Sequence, residues 1–88
     1  MAHLPLEELA EKLADAGREV EVGARYVHYK DRAKEYLVKS LAIFEATEEV
    51  GVVYEAQYDT HVSFIRPLAD FCALIEVNGV PTPRFAKL

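Results

Sequence analysis

The side chains best suited to chemistry begin in one short alternating stretch. Arg25–Lys30 has the sequence Arg-Tyr-Val-His-Tyr-Lys, so an extended strand would place Tyr26, His28 and Lys30 on one face. A neutral imidazole titrates near physiological pH and can donate or accept a proton, which makes His28 the candidate acid or base. A single histidine on a strand is also common as a hydrogen-bonded structural residue, so both roles are open.

Tyr54, Tyr58 and Arg66 are the other candidate site residues. Tyr54 and Tyr58 share one face of a predicted strand, where amphipathic rings could line a groove or fill the interior. Arg66 is expected at a strand end, and its guanidinium offers five fixed donors to a carboxylate or phosphate. In a small domain the commonest arrangement for such an arginine is an internal ion pair, here expected with Glu55 or Asp70, and ligand contact is the alternative.

Several function classes are disfavoured by what the 88 residues contain. The formal net charge is −5, which makes nucleic acid an unlikely partner because phosphate contact depends on positive charge. The sequence has no G-x-S-x-G motif, no P-loop and no dinucleotide-binding glycine run, and no His or Cys cluster has metal-ligand spacing. We therefore expect no cofactor and no metal. The single cysteine, Cys72, lies in an apolar run and is predicted to be buried.

Targeting signals are not evident either. The first twenty residues carry several carboxylates and no apolar run of signal-peptide length, and no apolar stretch approaches the roughly 20 residues that span a bilayer. The sequence therefore favours a cytoplasmic protein without membrane association.

An amphipathic helix is predicted for the N-terminal segment, residues 1–17. Pro5 suits a first helical position, and leucine and alanine recur from Leu6 to Ala16 at helical spacing. Gly17 is predicted to end the helix in the left-handed conformation. The leucine stripe is expected to pack on the rest of the domain, residues 18–88, or to form a homo-oligomer contact.

After Gly17 the spacing of apolar residues changes from a period of 3.6 residues to a period of 2, which predicts strands. Asp31–Lys34 is expected to be a polar turn, Pro67–Phe71 a single helical turn, and Asn78-Gly79 a hairpin turn. The proline-containing tail is expected to be extended and to hold Phe85 against the body. Short strands at this spacing indicate a mainly β fold, a small five-stranded barrel preceded by the helix. The five predicted strands are Arg25–Lys30, Glu35–Phe44, Val52–Tyr58, Ser63–Arg66 and Ala73–Val77.

Four segments form a recognisable series: Arg25–Lys30, Val52–Tyr54 with Tyr58, Ile65–Leu68 with Phe71, and Pro83–Phe85. Together they resemble the small bacterial family called domain of unknown function 1653, over about residues 23–85. The resemblance implies an SH3-like barrel and brings no established activity, substrate, cofactor or catalytic residue. The sequence departs from the family pattern at Asp31, at Ile43–Glu45 and at Phe64. The matching polar positions are Tyr26, His28, Lys30, Tyr54, Tyr58, Arg66 and Arg84.

Several of these polar side chains are expected to converge on one rim of the barrel and to bind a small anion or a peptide carboxylate. The alternative is that they form the hydrogen-bonded framework of the barrel. The favoured function is a non-catalytic binding module whose partner is a peptide, a protein or a small anionic ligand. The rivals are a small enzyme or enzyme subunit that uses His28 as general base, and a nucleic-acid accessory protein.

Overall fold

The computed structural model describes residues 4–88, so the first three residues of the predicted N-terminal segment 1–17 lie outside it. The described chain is mainly β with one N-terminal helix, as predicted, and its elements follow in the order α1, β1 to β4, α2, β5 to β7. Their bounds are α1 Leu6–Glu19, β1 Arg25–His28, β2 Asp31–Ile43, β3 Val50–Ala56, β4 Ser63–Pro67, α2 Leu68–Phe71, β5 Leu74–Val77, β6 Val80–Pro83 and β7 Phe85–Lys87.

The first helix runs two residues past the glycine that was predicted to end it. Pro5 precedes α1 and its carbonyl accepts the first helical hydrogen bonds, as expected for a start at this point. The prediction of a left-handed Gly17 was wrong, because the glycine with φ +89° is Gly23. The chain leaves the helix at Val20, which is extended and almost fully buried. Burial of Val20 in the core therefore determines where the helix ends.

The first hairpin turns earlier than predicted. Tyr29 and Lys30 form the turn, so Asp31–Lys34 belongs to β2 and the predicted polar turn there was wrong. In the β1–β2 ladder Val27 pairs with Glu35, but the next residue, His28, pairs with Asp31. The register therefore shifts between Val27 and His28, and the intervening residues of β2 have no partner in β1. A bulge of this kind bends the strand and increases its twist.

Seven strands form two antiparallel sheets in the described chain, instead of the five strands of a single barrel. The larger sheet has the order β4-β3-β2-β1-β7, and the smaller is the β5-β6 hairpin. The hairpin turn at Asn78-Gly79 is confirmed, with φ positive at both residues. The predicted fifth strand belongs to this hairpin, and the chain after Arg84 pairs with β1 instead. Both sheets are open, so a closed SH3-like barrel is not confirmed.

Aromatic rings form the centre of the core. Phe71, from the predicted helical turn, stacks on Phe85 with ring centroids 4.2 Å apart, and Tyr26 and Tyr54 meet Phe71 edge-on. Phe85 is buried, as the sequence predicted. Cys72 is exposed, so the prediction of a buried thiol was wrong. The helical turn directs Phe71 into the core, and its neighbour therefore faces outward.

We predict opposite effects of alanine at two glycines. Gly17→Ala should raise the free energy of unfolding by about 0.5–1 kcal/mol, because Gly17 is helical and its Cβ would meet no atom. Gly79→Ala should lower it by about 1 kcal/mol, because φ is +80° there. Urea unfolding of both variants checks this. Destabilisation by Gly17→Ala would show that the helix needs a left-handed glycine at that position.

Candidate functional site

A cavity of about 220 Å³ lies against the concave side of the five-stranded sheet. Every strand of that sheet contributes to its wall, so the curl of the whole sheet creates it. Phe64 and Arg66 are two residues apart on β4 and therefore share a face. The wall consists of His28, Tyr36, Tyr54, Phe64, Arg66 and Phe85.

The Arg66 guanidinium is held by aromatic groups rather than by a carboxylate. Its Nε donates to the Tyr54 hydroxyl at 3.3 Å, and its Cζ lies 5.8 Å from the centre of the Phe85 ring. Among residues 4–88 no acidic side chain lies within ion-pair distance of Arg66, so the expected pair with Glu55 or Asp70 is not formed. The two terminal nitrogens of Arg66 keep their capacity to bind an anion.

His28 is a neutral hydrogen-bond donor in this setting. Its Nδ1 accepts the Lys30 backbone N–H at 3.2 Å, which places the imidazole proton on Nε2. Burial lowers the pKa of His28 below its ordinary value of 6.5, and the charges of Arg66, Lys30 and Arg84 lower it further. The ring meets Phe85 edge-on at 5.0 Å. At neutral pH His28 therefore contributes an N–H group and no charge.

Arg84 places a second guanidinium close to this cavity. Its backbone N–H donates to the Ala73 carbonyl, and its carbonyl accepts the Tyr29 N–H, so the main chain is fixed on both sides. The Nε of Arg84 is buried and has no hydrogen-bond partner among the residues that the structure describes. Because Arg84 also lowers the pKa of His28, its charge contributes to a positive potential around the site.

Of the six predicted site residues, His28, Tyr54 and Arg66 line the cavity together. Tyr58 does not line the cavity, and its hydroxyl lies 2.6 Å from that of Tyr36, a wall residue. Burial, the hydrogen bond with Tyr58 and nearby charges raise the pKa of Tyr36 to about 12. Tyr36 therefore stays protonated, and Tyr58 helps to orient it.

Tyr26 and Lys30 do not line the cavity. Tyr26 is buried in the core, where its hydroxyl accepts the Glu21 backbone N–H at 3.0 Å. Lys30 is exposed in the first hairpin turn, and its ammonium lies 5.9 Å from the centre of the Tyr29 ring. The predicted common face of Tyr26, His28 and Lys30 fails at Lys30 because β1 ends at His28.

Sequence reasoning missed three wall residues. Phe64 precedes Arg66 by two positions, so strand alternation is a signal that could have found it. Tyr36 and Phe85 carry no comparable signal, because their places depend on the register of β2 and on the return of the tail to β1. Both are therefore consequences of tertiary structure.

A second, apolar groove lies between α1 and the end of β2, with a volume of about 520 Å³. Leu6, Leu9 and Leu13 line it from the helix, together with Ile43 of the strand. It contains the leucine stripe of α1, and its lining lacks the cationic groups of the smaller cavity. The described residues hold no cluster of three or more potential metal ligands at either place.

Cys72 lies outside both cavities and is a poor nucleophile. Although the residue as a whole is exposed, partial desolvation of the thiol and the charge of Glu19 raise its pKa, which disfavours the reactive thiolate. Neither helix formed by residues 4–88 is long and apolar enough to cross a membrane. A cytoplasmic location stays a prediction.

These features define a small, mainly β domain with a basic, aromatic-walled cavity. The sequence model of the family described as "Protein of unknown function (DUF1653)" matches residues 24–87, and the chain belongs to this family. A crystal structure of a DUF1653 protein from Bordetella bronchiseptica is similar, with 32% identity and a TM-score of 0.65 over 75% of this chain and 85% of that one. No curated protein matches the sequence. The resemblance found in the sequence is thus confirmed.

We predict that a pH titration followed by NMR gives His28 a pKa below 6.5. The unfolded chain then binds this proton more readily than the folded one. The contribution of His28 to the free energy of unfolding is complete above pH 6.5 and is lost as the pH falls towards the folded pKa. Arg66→Gln should raise the pKa only part of the way, because burial is the larger cause.

Arg18→Gln is the matched control for this titration. It removes the same charge from an exposed helix residue that pairs with Asp15 at 3.0 Å, and it should leave the pKa of His28 unchanged. A wild-type pKa at or above 6.5, or an equal response to both substitutions, would contradict the assigned surroundings of His28.

Proposed function

We propose that the protein is a non-catalytic binding module whose cavity holds a carboxylate carried by a small planar or apolar group. The observation that carries the proposal is the Arg66 guanidinium, which has no acidic partner among residues 4–88 and lies in an aromatic wall. The Arg66 side chain is partly buried, so it has lost part of its hydration without gaining an acidic partner, and a bound anion would offset that loss.

Hydrogen-bond donors of three kinds face a ligand in this cavity. Arg66 supplies its terminal nitrogens, and neutral His28 supplies Nε2–H. The Tyr54 hydroxyl already accepts a bond from Arg66 Nε, so its own proton is available for donation. Arg84 and Lys30 add positive charge nearby. The arrangement therefore favours an acceptor-rich anion over a cation or a neutral donor.

The dimensions favour a small ligand. Drug-sized ligands occupy pockets of about 300–1,000 Å³, whereas an apolar cavity of about 150 Å³ is enough for benzene. The volume of about 220 Å³ therefore suits one ring or one short side chain with a carboxylate attached. The rings of Tyr36, Phe64 and Phe85 provide the apolar contact.

The geometry supports this function better than general-base catalysis by His28. A general base needs an unprotonated nitrogen within reach of the substrate proton. The unprotonated nitrogen of His28 already accepts the Lys30 N–H, and the other nitrogen carries a proton. Ligand binding uses the neutral imidazole with its proton on Nε2, whereas catalysis by His28 would first require the other tautomer.

We also propose that the five-stranded sheet is an open form of the SH3-like barrel that the family resemblance implies. Support comes from the contact of Arg66 on edge strand β4 with Phe85 on the opposite edge strand β7, at 5.8 Å. Side chains thus bridge the two edges where a closed barrel would have backbone hydrogen bonds. The cavity is lined from both of these strands, so an open seam leaves room for a ligand.

Binding of benzoate, followed by amide chemical shifts in a ¹H–¹⁵N NMR spectrum, tests the proposed ligand class. We expect saturable shifts at the cavity residues with benzoate and none with benzamide, which has the same ring and no charge. Arg66→Gln should weaken benzoate binding by about tenfold or more, because one charge-assisted hydrogen bond contributes about 1.5–3 kcal/mol.

Arg18→Gln again serves as the control, since it changes the net charge equally at a distant exposed site. Its benzoate affinity should equal that of the wild type. The proposal is wrong if benzoate and benzamide give the same shifts, or if both arginine variants weaken binding to the same degree.

A further inference from the structure

Strand β4 is an edge strand next to the candidate cavity. It pairs with β3 on one side and has no strand on the other. Phe64 and Ile65 are 43% and 53% exposed, which is unusual for large apolar residues of an edge strand. An open edge with apolar side chains is a surface on which a further strand can pair.

The register shows which backbone groups of β4 are available. Ala56 N–H donates to the Val62 carbonyl at 3.0 Å, and this pair continues the β3–β4 ladder. Hydrogen-bonded and non-hydrogen-bonded pairs alternate in an antiparallel ladder, so Ser63 and Ile65 direct their N–H and C=O groups away from β3. Within residues 4–88 no backbone hydrogen bond occupies that outer side.

The open edge leads to the cationic end of the cavity. Arg66 follows Ile65 directly, and its side chain shares the cavity face with that of Phe64. A peptide that bonds first to Ser63 and then to Ile65, in the direction of β4, would bring its C-terminal end to Arg66. Pro67 has no N–H and ends the usable edge at this point.

We infer that the carboxylate bound in the cavity is the free C-terminus of an extended peptide that pairs with the outer edge of β4. The inference rests on the proposed function and specifies its ligand. Charge complementarity supports this occupant, because the terminal carboxylate meets a guanidinium that lacks an acidic partner in the described chain. The last side chain of the peptide enters the aromatic part of the cavity.

A second copy of the same chain fits this edge less well. β4 contains no acidic residue, so pairing of two β4 strands would bring no carboxylate of that strand to Arg66. Leu88 instead continues the pairing with β1, since its N–H donates to the Arg25 carbonyl. Self-association through β4 is therefore the competing outcome that the experiment must recognise.

The test measures fluorescence anisotropy with N-terminally labelled Gly-Ser-Thr-Val-Thr-Phe, prepared as the free acid and as the C-terminal amide. We expect the free acid to bind at least about tenfold more tightly, because the amide loses the charge-assisted contact. Arg66→Gln should abolish this difference, and Arg18→Gln should preserve it. Equal affinity of the two peptides for the wild type would overturn the inference.

Ile65→Pro examines the strand pairing separately, with Ile65→Ala as its control. Proline removes an N–H that faces away from β3, so the fold tolerates it on an edge strand. Ile65→Pro should lose peptide binding and keep benzoate binding, whereas Ile65→Ala should keep both. A free-acid peptide N-methylated at alternate residues should bind the wild type about tenfold more weakly, which needs no protein variant.

The outcomes separate the two proposals. Benzoate binding without discrimination between acid and amide, or peptide binding that survives both Ile65→Pro and N-methylation, overturns the peptide inference and leaves the carboxylate cavity standing. Absence of both benzoate and peptide binding overturns both. A dimer of unliganded protein in sedimentation that Ile65→Pro converts to monomer would assign the β4 edge to self-association and overturn the inference.

Discussion

The stacking of Phe85 on Phe71 is the contact on which the rest of the structure depends. Phe85 lies after two tail prolines, and its burial brings the end of the chain back to β1, where it forms the last strand of the sheet. The same ring faces His28, Tyr54 and Arg66, so it is core on one side and cavity wall on the other. Because an aromatic ring buries a large apolar area, this one residue fixes both the tail and the site.

The second constraint is positive charge held without a carboxylate. Arg66 has no acidic partner among residues 4–88, and the Nε of Arg84 is buried without an acceptor there. Burial and, to a smaller extent, these charges lower the pKa of His28, so this imidazole stays neutral and adds no further repulsion. A buried polar atom left unsatisfied, such as the Nε of Arg84, reduces stability, and such costs concentrate where a protein binds something.

Local sequence signals predicted the parts of the fold that depend on few residues. The Asn78-Gly79 turn depends on two residues with positive φ. The short helix Leu68–Phe71 follows directly on Pro67, which is a local signal for a helix start. The predictions that were wrong concern segments whose conformation depends on contacts with distant residues. Burial of Val20 carries the helix past Gly17, and a bulge in the first hairpin moves its turn to Tyr29 and Lys30.

The candidate site divides in the same manner. The sequence by itself determined the family, the mainly β class with its leading helix, and the polar residues His28, Tyr54 and Arg66, because residue type and alternation are local properties. Only the tertiary structure decided that Tyr26 is buried in the core and that Lys30 is exposed. It also decided that every strand of the five-stranded sheet contributes a residue to the cavity wall. The reason is that strand register and sheet curvature result from the packing of the whole aromatic core, which no single segment encodes.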